Sequence, residues 1–247
     1  MNNQNNNKNL MAHQYHDAQV VDIIDETPTV KRYFLKMPSD FTYKAGQFVM
    51  LDLPIEAKFT NRSYSIASAP REDEVFELCI VIKPDGLGTP YLFENVKVGS
   101  IVKTAGPVGK FILPENIETD LCFVCTGTGI APLRAMIHDI YNKNIPHKNM
   151  YMVFGNRVKQ DILYRKEFEE LQQQHPEFKF LPVLSRESKE TWDGDIGYVH
   201  DVYLRYFGEK KPVIFYLCGW SAMVREARDR LKELGYGKQE LKFELYD

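Results

Sequence analysis

The 247 residues have room for one large domain or two of ordinary size, and a hydrophobic content of 44% can build more than one core. A formal net charge of −3 gives no basic excess for neutralising phosphates, which excludes a general nucleic-acid binder. No run reaches the roughly 20 apolar residues that cross a bilayer, so no membrane span is predicted.

The segment from Met1 to Leu10 is Asn-rich and lacks the apolar core of a signal peptide. Residues 1–16 are therefore expected to form a disordered tail, and the cytoplasm is the expected compartment. VVDIID, VKRYFLKM, GQFVMLDLP, VFELCIVIK and IVKTAG follow, short runs rich in β-branched and aromatic residues. Turn chemistry separates them at Thr27-Pro28, Pro38-Ser39-Asp40, Ala45-Gly46 and Pro84-Asp85-Gly86. Such spacing predicts an antiparallel barrel or sandwich with one short helix at Pro90 to Glu94.

After Pro114 the rhythm changes. LCFVC leads to the helical pattern APLRAMIHDIYNK, YMVFG to ILYRKEFEELQQQ, FKFLPVLS to YVHDVYLRYF, and VIFYLC to AMVREARDRLKEL, with LKFELY as a last strand. This alternation predicts a doubly wound parallel sheet with helices on both faces. The boundary is placed near residues 114–119, giving a β domain over 17–116 and an α/β domain over 117–247.

The four cysteines are Cys79, Cys122, Cys125 and Cys218. Cys122 and Cys125 form a CxxC within an apolar strand-like run. Residues three apart on a strand face opposite ways, so the thiols should diverge rather than pair. No four-cysteine cluster is available for an iron–sulfur centre and no metal site is predicted, so electrons, if handled, need an organic cofactor.

Gly127-Thr128-Gly129-Ile130-Ala131-Pro132 follows a strand and opens a helix. There the backbone can approach a pyrophosphate, whose charge the free helix amides bind, and proline suits the first helical turn. A turn needing glycine for structural reasons alone is the competing explanation. Three other strands end at Gly155-Asn156-Arg157, Ser185-Arg186 and Cys218-Gly219, which a parallel sheet brings to one rim. Ser185 and Arg186 are candidates for an adenosine 2′-phosphate, with Arg157 a second; ordinary solvated surface is the alternative.

Arg62-Ser63-Tyr64-Ser65, Gly86-Leu87-Gly88-Thr89, Gly106-Pro107-Val108-Gly109-Lys110-Phe111, the Gly127–Pro132 loop, Cys218-Gly219, and the terminal Glu244 and Tyr246 occur in that order at domain-scale spacing. Over about residues 17–247 the chain resembles the ferredoxin–NADP+ reductase family. The resemblance implies a six-stranded antiparallel barrel that binds FAD and an α/β domain that binds NADP(H), with NAD(H) possible. It implies that Arg62 contacts the FAD pyrophosphate, Tyr64 packs on the flavin, and Ser65, next to Ser63, bonds near flavin N5. The backbone of Cys79, Ile80, Val81 and Ile82 would line the cofactor, and Gly88 with Thr89 would hold its phosphates. Gly127 to Pro132 would take the nucleotide pyrophosphate, while Cys218, beside Gly219, would sit by the nicotinamide. Tyr246 would cover the flavin face opposite Tyr64 and move aside for the nicotinamide, and Glu244 would relay a proton.

The chain departs from the family pattern at Asp247, which follows the terminal tyrosine, and in lacking a clear second 2′-phosphate ligand beyond Ser185 and Arg186. The implied partner is ferredoxin, flavodoxin or another one-electron carrier. The alternatives are an NADH-dependent reductase component of an oxygenase, a free-flavin reductase, and a non-catalytic subunit. A fused ferredoxin domain would need more length and more cysteines than the chain has.

Overall fold

The computed structural model describes residues 14–56 and 60–246. The N-terminal lobe comprises β1 (Tyr15–Thr27), β2 (Val30–Lys36), β3 (Phe48–Asp52), β4 (Asn61–Ser65), β5 (Val75–Val81), helix α1 (Gly88–Asn95) and β6 (Ile101–Val108). These six strands form one antiparallel sheet in the order β4-β3-β6-β1-β2-β5. An Ile66–Leu78 bridge joins its two edges and closes it into a barrel. Tyr33, Leu35, Val49, Leu51, Phe76 and Leu78 fill the interior. β4 is a strand despite its polarity because it pairs residue for residue with β3, from Phe48–Ser65 to Asp52–Asn61.

The tail expected over residues 1–16 is corrected at its C-terminal end. Tyr15 and His16 belong to β1, opposite Ala105 and Thr104. The Tyr15 hydroxyl donates to Asn61 Oδ1 at 2.6 Å, and the His16 ring stands edge-on to Phe41. Cross-strand partners supply what composition does not announce. Residues 1–13 lie outside the described residues.

The second lobe alternates β7 (Asp120–Thr126), α2 (Ile130–Asn142), β8 (Met150–Asn156), α3 (Arg165–Gln174), β9 (Phe178–Leu184), β10 (Asp195–Ile196), α4 (Val199–Phe207), β11 (Val213–Trp220), α5 (Ser221–Glu233) and β12 (Leu241–Tyr246). Its parallel sheet runs β10-β9-β8-β7-β11-β12. α2 and α3 pack on one face with Phe123, Cys125 and Phe154; α4 and α5 pack on the other with Cys122, Val124 and Val153. The two thiols of the CxxC thus enter different cores, as strand alternation requires. The α2–α3 core also contains Val30, Ala45, Ala67, Cys79 and Phe111, so it continues into the barrel lobe.

α3 starts at Arg165 rather than at Ile162. Tyr164 is left-handed at φ 53°, and Ile162, Leu163 and Tyr164 are buried beside the helix instead of forming its first turn. Among the described residues no helix is long and apolar enough to cross a membrane.

Candidate active site

The barrel side is built around α1. No side chain caps this helix, which leaves its first amides free of local partners. The side chain of Arg62 lies across its start, where a Cβ at Gly88 would stand 2.9 Å from Arg62 Cγ. A guanidinium over open helix amides suits a phosphate. The Thr89 hydroxyl is engaged elsewhere, accepting from the Lys83 amide at 2.8 Å and fixing the loop before the helix. On β5, the Cys79 and Ile80 side chains are buried and Val81 is exposed. The Ile82 amide donates to Thr29 O at 2.8 Å, which turns it toward β2. By alternation the backbone of Val81 then faces the open edge.

The nucleotide rim collects the other candidates. Gly127 is left-handed at φ +52° and a Cβ there would meet open space, whereas at Gly129 it would stand 2.5 Å from the Cys218 carbonyl oxygen. The loop therefore leans on the end of β11, and only glycine permits the approach. Gly127 and Thr128 reach the surface, but Ile130, Ala131 and Pro132 are buried in the α2 core. These three serve the loop by anchoring it, and the Ile130 amide closes it by donating to the Gly127 and Thr128 carbonyls. Ser185 and Arg186 bond through their amides to the Asn156 and Arg157 carbonyls at 3.0 and 2.9 Å. Two exposed arginines, Arg157 and Arg186, thus stand on adjacent strand ends.

The lobes meet at the ends of β4 and β12. Ser65 Oγ donates to Glu244 Oε2 at 3.4 Å. β12 pairs in parallel with β11, setting Glu244 beside Cys218 and Tyr246 beside Trp220. Burial pushes the Glu244 carboxyl up to about 7, with the Ser65 hydroxyl drawing it partly back. Burial also drives the Cys218 thiol and the Tyr246 phenol well above their ordinary values. Cys218 is accordingly a neutral wall at neutral pH, not a nucleophile.

The residues fit a flavin and a dinucleotide. The hydroxyl of Tyr64, on the barrel, is buried with no hydrogen-bond partner among the described residues, and that of Tyr246, on the other lobe, is buried against Ser65 and the Cys218 thiol without a well-aligned hydrogen bond. Such groups are rare in a finished core and call for a ligand or water. Flat aromatic walls with few polar contacts are what a planar heterocycle needs. Ser63 pairs with Met50 on the neighbouring strand and is exposed, standing apart from this cluster.

Sequence reasoning missed Tyr198, which is 69% exposed just past β10, the strand that pairs with Val183 and Leu184 ahead of Ser185. An exposed aromatic ring near this rim is the type of side chain that stacks on a base. An aromatic at a helix start was its only signal. Also missed were Glu77, Arg134 and Tyr164, which join the lobes and whose spacing of 30 residues or more hides their contact.

Two family descriptions match the chain in tandem: an oxidoreductase FAD-binding domain over residues 17–112 and an oxidoreductase NAD-binding domain over residues 123–229. The chain is 33% identical over 215 residues to ferredoxin–NADP reductase B of Sorangium cellulosum, covering 84% of this chain and 86% of that protein. It is 30% identical over 211 residues to the phenol 2-monooxygenase reductase component DmpP of Pseudomonas sp. (strain CF600), covering 83% of this chain but only 58% of that protein. Among solved structures, the Amycolatopsis cytochrome P450 reductase GcoB superposes with a TM-score of 0.85 at 27% identity, over 95% of this chain and 71% of that one. A Neisseria gonorrhoeae ferredoxin NADP+ reductase with FAD and NADP bound shares the fold at a TM-score of 0.79 and 22% identity, over 94% and 98%. With the barrel and the parallel sheet in place, these likenesses settle the family: the chain belongs to the ferredoxin–NADP reductase family of FAD- and NAD-binding oxidoreductases.

Proposed function

We propose that the chain exchanges hydride with NADP(H) and passes single electrons to a carrier protein, ferredoxin or flavodoxin, as a ferredoxin/flavodoxin–NADP+ reductase-type flavoenzyme. The observation that carries this is the Ser65–Glu244 contact at 3.4 Å, in which a hydroxyl and a carboxyl raised to about 7 meet from opposite lobes beside the buried Tyr246 hydroxyl. When bound, FAD supplies the chemistry that splits a two-electron donation into single-electron steps.

Every other part falls to the chain. Arg62 with the Gly88 and Thr89 amides holds the FAD pyrophosphate, and the outward backbone of β5 lines the cofactor. Tyr64 walls one ring face and Tyr246 the other. Tyr246 must move for a nicotinamide to stack, since the reacting atoms need a separation of about 3–3.5 Å. Ser65 orients the ring edge. Glu244, titrating near 7, can give up or take a proton at working pH. Gly127 to Ala131 receive the nucleotide pyrophosphate, and Cys218 with Gly219 shapes the nicotinamide pocket. Ser185, Arg186 and Arg157 hold the 2′-phosphate, which favours NADP(H) over NAD(H). The reading is supported by the 86% coverage of a ferredoxin–NADP reductase.

A second reading rests on the monooxygenase reductase components among the relatives, of which this chain spans 58% and 61%. Under it the donor is NADH and the acceptor an oxygenase system. A free-flavin reductase differs from both in releasing its flavin.

The deciding experiment is anaerobic reduction of the purified protein, followed at the flavin absorbance band, with NADPH and NADH in separate runs. A yellow protein reduced faster by NADPH is expected. Faster reduction by NADH selects the second reading, and colourless protein that takes up no FAD overturns both.

A further inference from the structure

On the α2–α3 side of the sheet the lobes are joined by a buried ionic cluster that the proposed chemistry does not use. Its centre is Glu77 of β5, 3% exposed. The Glu77 carboxylate accepts four hydrogen bonds: Arg32 Nε at 2.6 Å, Arg32 Nη2 at 3.1 Å, Arg134 Nη1 at 3.1 Å and the Tyr164 hydroxyl at 2.6 Å. Arg32 comes from the barrel; Arg134 and Tyr164 come from the nucleotide lobe. Arg134 Nη1 also donates to the Ala67 carbonyl at 2.7 Å. Its other edge forks onto Glu167 at 2.7 and 2.8 Å, where His138 Nε2 also lies at 2.7 Å. Both guanidinium groups lie over the Tyr164 ring, Arg32 at 4.8 Å and Arg134 at 4.4 Å from its centroid. The left-handed backbone of Tyr164 turns its amide onto Glu26 of the barrel at 2.7 Å.

The chain positions of these groups give the cluster its meaning. Ala67 lies two residues past Ser65, Glu77 two before Cys79, and Arg134 two past Pro132. Each joint is thus one strand pleat or half a helical turn from a segment assigned to a cofactor. Interfaces between lobes are polar and mobile by default. This one is pinned by a planar fork, whose rigid donors fix direction as well as distance.

We propose that Arg134 is a positioning residue, which, through Glu77 and Ala67, sets where the nucleotide loop stands relative to the flavin face. This rests on the oxidoreductase reading above. The pyrophosphate and 2′-phosphate contacts proposed above all lie in the nucleotide's own lobe and anchor it there, so Arg134 governs the alignment of the nicotinamide more than the overall affinity. A Lys at this site keeps the charge and loses the fork. Tyr164→Phe removes a single hydroxyl and is the milder probe.

The test uses the FAD-loaded protein in anaerobic stopped flow, paired with calorimetric unfolding of the same samples. For Arg134→Lys the nucleotide Kd is expected to stay within twofold while the limiting rate of flavin reduction falls at least tenfold. One unfolding transition is expected to split into two as the lobes uncouple. Tyr164→Phe should move each quantity the same way by less, and it carries the test if Arg134→Lys does not fold. A reduction rate unchanged in the variants overturns the proposal, leaving the cluster as a brace alone; so does a rate loss matched by an equal loss in Kd. Wild-type protein that neither nucleotide reduces overturns the oxidoreductase reading instead.

Discussion

The two lobes touch in two unlike ways. Around Glu77 the contact is dense and ionic, with its carboxylate satisfied by four donors at 2.6 to 3.1 Å. At the ends of β4 and β12 it is a 3.4 Å bond between Ser65 and Glu244, with the buried Tyr246 hydroxyl beside them. The same interface is fastened on one side and slack on the other. A site that admits a planar ring between its lobes needs slack there, and a site that aligns two rings needs a fixed reference elsewhere.

The two sides also titrate in opposite senses. Burial pushes the Glu167 carboxyl up, but its bonds to His138 and Arg134 outweigh this and hold it at about 2. Its contribution to stability is therefore complete above about 4.5 and is lost as pH falls toward 2. Glu244 is raised from 4.5 to about 7, so the folded protein favours its protonated form and loses stability from this group as pH climbs through that window.

The contrast can be broken most severely at the fastened side. Glu77→Ala takes the shared acceptor from Arg32 and Arg134, leaving them Glu26 on one side and Glu167 with the Ala67 carbonyl on the other, and should cost about 3 kcal/mol in a denaturant titration; a loss below about 1 kcal/mol would show the cluster to be solvated. At the rim, Arg186→Ala should weaken NADPH binding by about 1.5–3 kcal/mol, as for lost charge-assisted bonds, with NADH nearly untouched. Equal losses for both nucleotides would remove Arg186 from the 2′-phosphate site. At the slack side, Tyr246→Ser should tighten nicotinamide binding about tenfold, close to 1.4 kcal/mol, and shift the NADP/NAD preference; unchanged titrations of both nucleotides would rule out Tyr246 as the gate. The smallest effect is in the shape of a curve. Glu244→Gln should flatten the pH dependence of stability between 4.5 and 7 and abolish any rate inflection near 7, and a surviving inflection would assign it to another group.

Much of the fold was legible in the chain because local chemistry dictates it. Strand–helix alternation gave the parallel sheet, and the positions of glycine gave the tight turn between β7 and α2. The diverging thiols of Cys122 and Cys125 followed from strand geometry alone. What escaped was long-range. Nothing in the sequence tells that Glu77, 57 residues before Arg134, shares a hydrogen bond with it. Nor does composition reveal that Tyr15 and His16 pair with a strand some 90 residues away. Tyr164 broke a helical pattern because its contacts to Glu77 and Glu26 outweigh the first turn it forgoes. At the site, order and residue type supplied the candidates, while the structure alone brought Arg157 beside Arg186 and turned the Thr89 hydroxyl toward its own loop.

Each of the four cysteines is buried and in no disulfide, and burial raises every one of their thiols. Because the thiolate is the reactive species, maleimides and similar reagents should pass over the native chain. A single cysteine introduced on each lobe would therefore carry a fluorophore or spin label without any background deletion. The distance across the cleft could then be followed in otherwise native protein while nucleotides come and go.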